Sequence, residues 1–245
     1  MFVAFLFLLT GNNYAQDQSN NSVNNQIWID FNPSYKISDR LEYNGTIGTK
    51  DVYPHSWYKI YTKSDISLNL PKFIFKKLSS SEKVYAGIQM YYIFYSEQPN
   101  VFELSPYQGY SLKLPNREHL ILQHKLELME RFQWALPVWS YSFGLKLSYE
   151  GIITWKLYGN IWKLAKGIDL SCSFKFWWNL IASNVYNNVV RIAPGIGYTI
   201  NEKWKTAFLV GWDYTRDASI DSFNNNSMIY RFRLYYKIPQ KNDKL

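Results

Sequence analysis

The sequence predicts an all-β protein, an antiparallel up-and-down transmembrane β-barrel of about 10–12 strands, from three observations. Apolar side chains alternate with polar ones along most of the chain, which is the period of a strand and not of a helix. The alternating stretches run about 10 to 14 residues, longer than is usual in soluble sheets and long enough for a tilted strand to cross a bilayer. Aromatic residues make up 19% of the 245, with 21 Tyr and 10 Trp, a composition that favours strands.

The chain opens with MFVAFLFLLTGNNYAQ. Phe2 to Leu9 have the length of the apolar core of an export signal, and Ala15 precedes a plausible cleavage point. No Lys or Arg occurs before Lys36, so the usual basic leader is missing. The expected division is a signal peptide at 1–15, a flexible segment at 16–26, the barrel at 27–238 and a tail at 239–245. Beyond the first run, no stretch approaches about 18 uninterrupted apolar residues, which excludes a helical membrane protein.

Ile27, Ile29, Phe31 and Tyr35 alternate with Trp28, Asp30, Asn32 and Ser34, and after the turn Ser38-Asp39-Arg40 the pattern resumes from Leu41, a hairpin signature. Tyr58 to Leu70 and Val84 to Phe94 repeat it. Leu104 to Leu114 is weaker because Pro106 interrupts it, which predicts a bulge or an extended lead into a strand. HLILQHKLELMERF, residues 119 to 132, is made of helix formers, yet Leu120, Leu122, Leu126 and Leu128 share one parity, so it too reads as a strand. Trp139 to Tyr149, Ile168 to Trp178, Val190 to Ile200, Trp204 to Tyr214 and Met228 to Ile238 follow. These make about eleven segments. A bacterial single-chain barrel is expected to have an even number with both termini on one side, so Ile152 to Tyr158 is a candidate twelfth strand and twelve is preferred to ten. Trp57, Trp134, Trp139, Trp178, Trp204 and Trp212 fall near strand ends, as interfacial girdle residues should.

Two adjacent stretches carry a family resemblance. ELSPYQ at 103–108 and QHKLELMERF at 123–132 resemble a motif pair of the small Gram-negative outer-membrane barrels catalogued as domain of unknown function 2490. Glu103, Pro106 and Gln108 fit the first motif, with Ser105 where Arg is usual. His124, Arg131 and Phe132 fit the second, with Lys125, Glu127 and Met129 in place of Arg, Arg and Glu. The resemblance in strand order covers most of residues 25 to 238. It implies a location in the cell outer membrane and a barrel architecture, and no particular activity.

With the apolar parity facing lipid, the opposite parity lines the lumen. It collects Lys59, Lys63, Lys125, Arg131, Lys146, Lys175, Arg191, Lys205, Arg231, Arg233 and Lys237 against Asp30, Glu42, Asp65, Glu127, Glu150, Asp169 and Asp213. Lys125, Glu127, Arg131, Arg191, Arg231 and Arg233 are the candidate binding residues of this polar network. Two readings apply: a salt-bridged core that largely fills the barrel, since desolvated charges are costly unless paired, or a basic constriction that guides an anionic solute. The formal net charge is +8, but the basic residues alternate within strands and do not cluster, which argues against nucleic acid. Lipopolysaccharide and outer-membrane lipid are the expected partners, with the barrel-assembly machinery a transient one recognising YRFRLYYKI near the C-terminus, and the protein is expected to be monomeric.

Cys172 is the single cysteine and reads as a small buried hydrophobe. A lipid-modifying hydrolase or acyltransferase would need a base, and His55, His119 and His124 are the only histidines. His55 and His124 are the catalytic candidates, His124 being on the lipid-side parity, where a histidine needs a paired neighbour. The sequence has no G-x-S-x-G, H-E-x-x-H or P-loop, and no metal or cofactor is expected. A third possibility, a soluble periplasmic lipocalin-like binder, would turn the apolar parity inward. Residues 50–56, 96–102, 179–187 and 216–226 are the candidate recognition loops.

Overall fold

The computed structural model describes residues 24–53, 57–71, 81–114, 119–157, 167–181, 188–217 and 222–240. Eleven strands run in order: β1 (Asn24–Lys36), β2 (Leu41–Tyr53), β3 (Trp57–Leu70), β4 (Ser81–Tyr95), β5 (Val101–Lys113), β6 (Leu120–Ala135), β7 (Ser140–Lys156), β8 (Ile168–Ile181), β9 (Asn188–Thr199), β10 (Trp204–Asp217) and β11 (Ser222–Ile238). Each pairs with its neighbour in sequence, and β11 meets β1 to close the barrel. The expected signal peptide at 1–15 lies outside the described residues, as does most of the segment at 16–26. The first strand starts at Asn24, three residues before Ile27.

Ten of the eleven seams are antiparallel, and β1 with β11 is parallel, from Asn24 opposite Ser227 to Tyr35 opposite Ile238. An odd number of strands requires one such seam, and Asn24 and Ile238 therefore sit at opposite ends of the barrel. This corrects the expectation of an even count with both ends on one side. The proposed twelfth strand is the far half of β7: its register against β6 runs without interruption from Ser140 opposite Ala135 to Trp155 opposite Leu120. No turn intervenes, so residues 152–156 continue the strand.

The helix-forming stretch at 119–132 lies in β6 because both neighbouring strands supply ladder partners, and tertiary pairing outweighs local propensity. Three prolines sit inside strands. Pro33, Pro106 and Pro194 each keep a register partner on one side, namely Tyr236, Ile88 and Cys172. On the other side the ladder lapses next to each of them, as the missing N–H requires. Pro106 therefore interrupts one seam of a continuous strand.

The apolar parity faces outward: Ile29, Ile47, Ile192 and Phe232 are exposed, Ile47 by 61%. The buried residues are mostly polar, with Asp30, Gln89, Glu103, Glu127 and Asp213 among them. This inverts a soluble protein and corrects the lipocalin-like alternative, whose ligand cavity would need the apolar parity inside. Cys172 is exposed on this outer face and not buried. Aromatic side chains collect at both ends of the outer face. Trp204 packs on Phe31 and Tyr236 at one end, and Trp134 packs on Phe102 and Tyr141 at the other. Trp212 is the exception among the expected girdle residues, since it lies within β10 with partners on both sides, Ile192 and Met228. No helix among the described residues is long and apolar enough to cross a membrane.

Inside, two glycines make room for two tyrosines. A Cβ on Gly109 would lie 2.3 Å from Tyr85 Cζ, and one on Gly87 would lie 2.7 Å from the Tyr107 hydroxyl. Each ring thus covers the glycine of the neighbouring strand, and the two rings meet edge to face at 6.2 Å.

Candidate functional site in the lumen

The alternation that sends Ile27, Ile29 and Phe31 outward sends Trp28 and Asp30 inward, and the same rule on every strand gathers the charged side chains in the lumen. On β5 and β6, Glu103 is buried and accepts from Arg131 Nε at 3.0 Å, Arg131 Nη2 at 2.8 Å, Gln133 Nε2 at 2.5 Å and Ser105 Oγ at 2.7 Å. A fork of this kind is stronger and more directional than a point contact. Lys63 donates to Glu127 at 3.1 Å, and Lys125 and Lys175 share Glu150 at 3.8 and 4.0 Å. Arg191 grips both oxygens of Asp213 at 2.5 Å. Arg231 and Arg233 both donate to Asp30 Oδ2, Arg233 at 3.2 Å. Toward the rim where β1 ends, Lys83 pairs with Glu42 at 2.8 Å and Lys205 with Asp169 at 2.7 Å.

These pairs leave space between them. A cavity of about 520 Å³ is lined by Trp28, Lys50, Gln89, Lys146, Lys175 and Arg191, with Lys125, Glu127, Arg231 and Arg233 also on its wall. Five of the six residues expected to bind therefore share one cavity. Arg131 is the sixth and is held on Glu103. The lumen is polar, as expected, and the described residues leave this space within it.

The wall of this cavity carries nine Lys or Arg side chains and four Asp or Glu. Counting Asp30 and Asp213, which hold the arginines, nine basic side chains still face six acidic ones. The excess is uneven. Lys50 and Lys146 on the wall, and Lys59 outside it, have no carboxylate within ion-pair distance among the described residues. Lys50 and Lys59 are also opposite each other in register, a placement that is destabilising for like charges. Aromatic rings offset part of it. Lys50 Nζ lies 3.8 Å from the Trp28 ring centre, and the guanidinium carbons of Arg191 and Arg231 lie at 4.5 and 5.0 Å from the same ring. Lys59 Nζ lies 4.0 Å from the Tyr91 ring. Cations over an indole face are attracted by its quadrupole, so Trp28 gathers three positive groups at one point of the lumen.

His124 faces outward and its Nδ1 lies 2.6 Å from the Tyr149 hydroxyl, which provides the neighbour that a lipid-side histidine needs. Glu127 lies on the opposite, lumen face, so it does not join His124 in a site. His55 lies outside the described residues. The four candidate recognition loops all leave strands at the end of the barrel where β1 begins, as far as their residues are described.

Sequence reasoning missed Glu103, Trp28, Lys50 and Gln89 as members of the site. Trp28 carried a signal: it is an aromatic residue on the parity otherwise occupied by Gln26 and Asp30. Lys50 carried none, since no local pattern marks which lysine lacks a partner.

No family model and no curated protein matches the chain. Among solved structures the chain is similar to one described as a NanC porin in a rhombohedral crystal form. The identity is 12% and the TM-score 0.44, over 85% of this chain and 99% of that one.

Proposed function

We propose that this chain is an outer-membrane β-barrel protein, of the kind implied by its resemblance to domain of unknown function 2490, whose lumen handles anionic solutes. The observation that carries the reading is the closed ring of strands with its apolar parity outside and its charged parity inside. A closed barrel leaves no unpaired sheet edge, and together with the helix it is the structure that satisfies every backbone group within hydrocarbon. The aromatic clusters at both ends suit the two interfaces. The positive surplus on the cavity wall favours anions over cations. Contact with lipopolysaccharide, insertion by the barrel-assembly machinery and a monomeric state belong to the same proposal.

The test is to purify the chain in detergent, compare gel mobility before and after boiling, and record conductance in a planar bilayer. Heat-modifiable migration with discrete anion-selective steps is the expected result. A protein that stays soluble without detergent would overturn the membrane reading, and a heat-modifiable barrel with no conductance would overturn the passage of solutes through the lumen alone. Ile47→Arg adds a sharper probe on the outer face, with a loss of about 2–4 kcal/mol in lipid expected near the bilayer midplane.

A further inference from the structure

We infer that the lumen cavity beside Trp28 is a binding site for a small polyvalent organic anion, with Lys50, Lys146 and Gln89 as the groups that engage it. The inference deepens the solute reading above and rests on it for the lumen being the face that meets solutes. Four observations converge. The cavity, at about 520 Å³, falls within the range of small-ligand sites and is far larger than a trapped water requires. Lys50 and Lys146 are on its wall, and neither has a carboxylate within ion-pair distance among the described residues. Gln89 is 5% exposed, lines the same cavity, and its Nε2 has no hydrogen-bond partner among the described residues. A buried amide donor with no acceptor is costly unless a ligand supplies one. Finally, Arg191 and Arg231 are fixed beside the cavity by Asp213 and Asp30 while both stand against Trp28, so part of the positive field is set in place before any ligand arrives.

A salt-bridged plug has different requirements. It would pair each cation with a carboxylate, and the Glu103 cluster shows that the barrel can do so. At Lys50 the Trp28 ring stands where such a plug would place a carboxylate, while Arg191 and Arg231 keep theirs. An aromatic face holds a cation in position without neutralising its charge, which leaves the charge available to an incoming anion. A polyvalent ligand is favoured over a monovalent one because the surplus comprises several charges around one space. The unpartnered amide favours an oxygen-rich ligand with carboxylates or hydroxyls.

The experiment is calorimetric titration of the intact, detergent-purified barrel with citrate, a trivalent carboxylate probe, and with glucose as a neutral probe. Citrate should bind with an affinity that falls as salt rises, and glucose should not bind. Lys50→Met and Lys146→Met should each weaken citrate by about tenfold or more. Gln89→Leu should weaken it without changing the net charge, which separates a built site from general attraction to a basic lumen. Each variant is first checked for heat-modifiable migration, so that misfolding is recognised. No citrate binding by the folded parent overturns the inference, as does equal citrate affinity in all three variants. Citrate binding by a barrel that shows no conductance would sink the solute-passage reading and leave the site standing.

Discussion

Glu103 on β5 accepts hydrogen bonds from Arg131, Gln133 and Ser105, whereas Trp28 on β1 has three cations against its ring, and one of them, Lys50, meets no carboxylate among the described residues. Both centres lie in one lumen and are built from one alternation of inward residues, yet they dispose of charge in opposite ways. The first gathers its donors on one carboxylate and, with Tyr85 and Tyr107 seated over Gly109 and Gly87, makes a fitted wall along β4 to β6. The second pairs Arg191 with Asp213 and Arg231 with Asp30 but meets Lys50 with a ring alone, and it fronts the cavity. Ion pairing in this barrel is therefore local, and a tally of lysines and carboxylates over the whole lumen would conceal where the field is concentrated.

The contrast can be broken most severely at Glu103. Glu103→Ala strips Arg131 of the carboxylate it grips with two nitrogens, and removing one partner of a buried pair costs about 3–5 kcal/mol. The expected result is a fall of that size in urea unfolding monitored by gel mobility. Gly109→Ala attacks the same wall by overpacking. The added methyl meets Tyr85 and the Leu126 carbonyl oxygen, with a loss of about 1–3 kcal/mol expected. Adding Tyr85→Ala should restore part of it, and a double-mutant cycle with no coupling would show that the ring does not depend on the glycine.

Lys50→Met sharpens the comparison from the other side. It removes a cation with no carboxylate partner and loses only the ring contacts, so stability should change by less than about 1 kcal/mol in either direction. A loss as large as that at Glu103 would make the Trp28 centre structural. Asp39, in the turn between β1 and β2, serves as a control remote from both centres. The hydrogen bond from Lys36 at 2.7 Å, and then the Lys36 charge, hold its carboxyl below the usual carboxylate range. With a folded value depressed below the unfolded one, any contribution is present above the unfolded carboxylate pKa of about 3.9 and lost as pH falls through the folded value. Because the pair is solvent-exposed, Asp39→Asn should leave unfolding at neutral pH unchanged within measurement error.

Most of the barrel was legible in the sequence because a strand with an apolar outer face and a polar lumen face has to alternate, and alternation survives even in a stretch of helix formers such as 119–132. The ion-pairing side chains were legible for the same reason: Lys125, Glu127, Arg131, Arg191, Arg231 and Arg233 all lie on the inward parity. Strand number was harder. A bend and an unbroken strand look alike from Tyr149 through Gly151 to Trp155, and only the ladders with β6 and β8 show that β7 continues.

What the sequence by itself determined is the face on which each side chain lies, since parity along a strand is a local property of the backbone. Which residues meet across the lumen was decided by the tertiary structure. Closure and register bring Arg231 to Asp30 across the parallel seam and Arg191, Arg231 and Lys50 to a single indole. Arg231 and Asp30 lie 201 residues apart in the chain. Among the described residues the same closure leaves Lys50 and Lys146 without carboxylates, because an ion pair needs its two groups within about 4 Å and no pattern along one strand fixes a distance between strands.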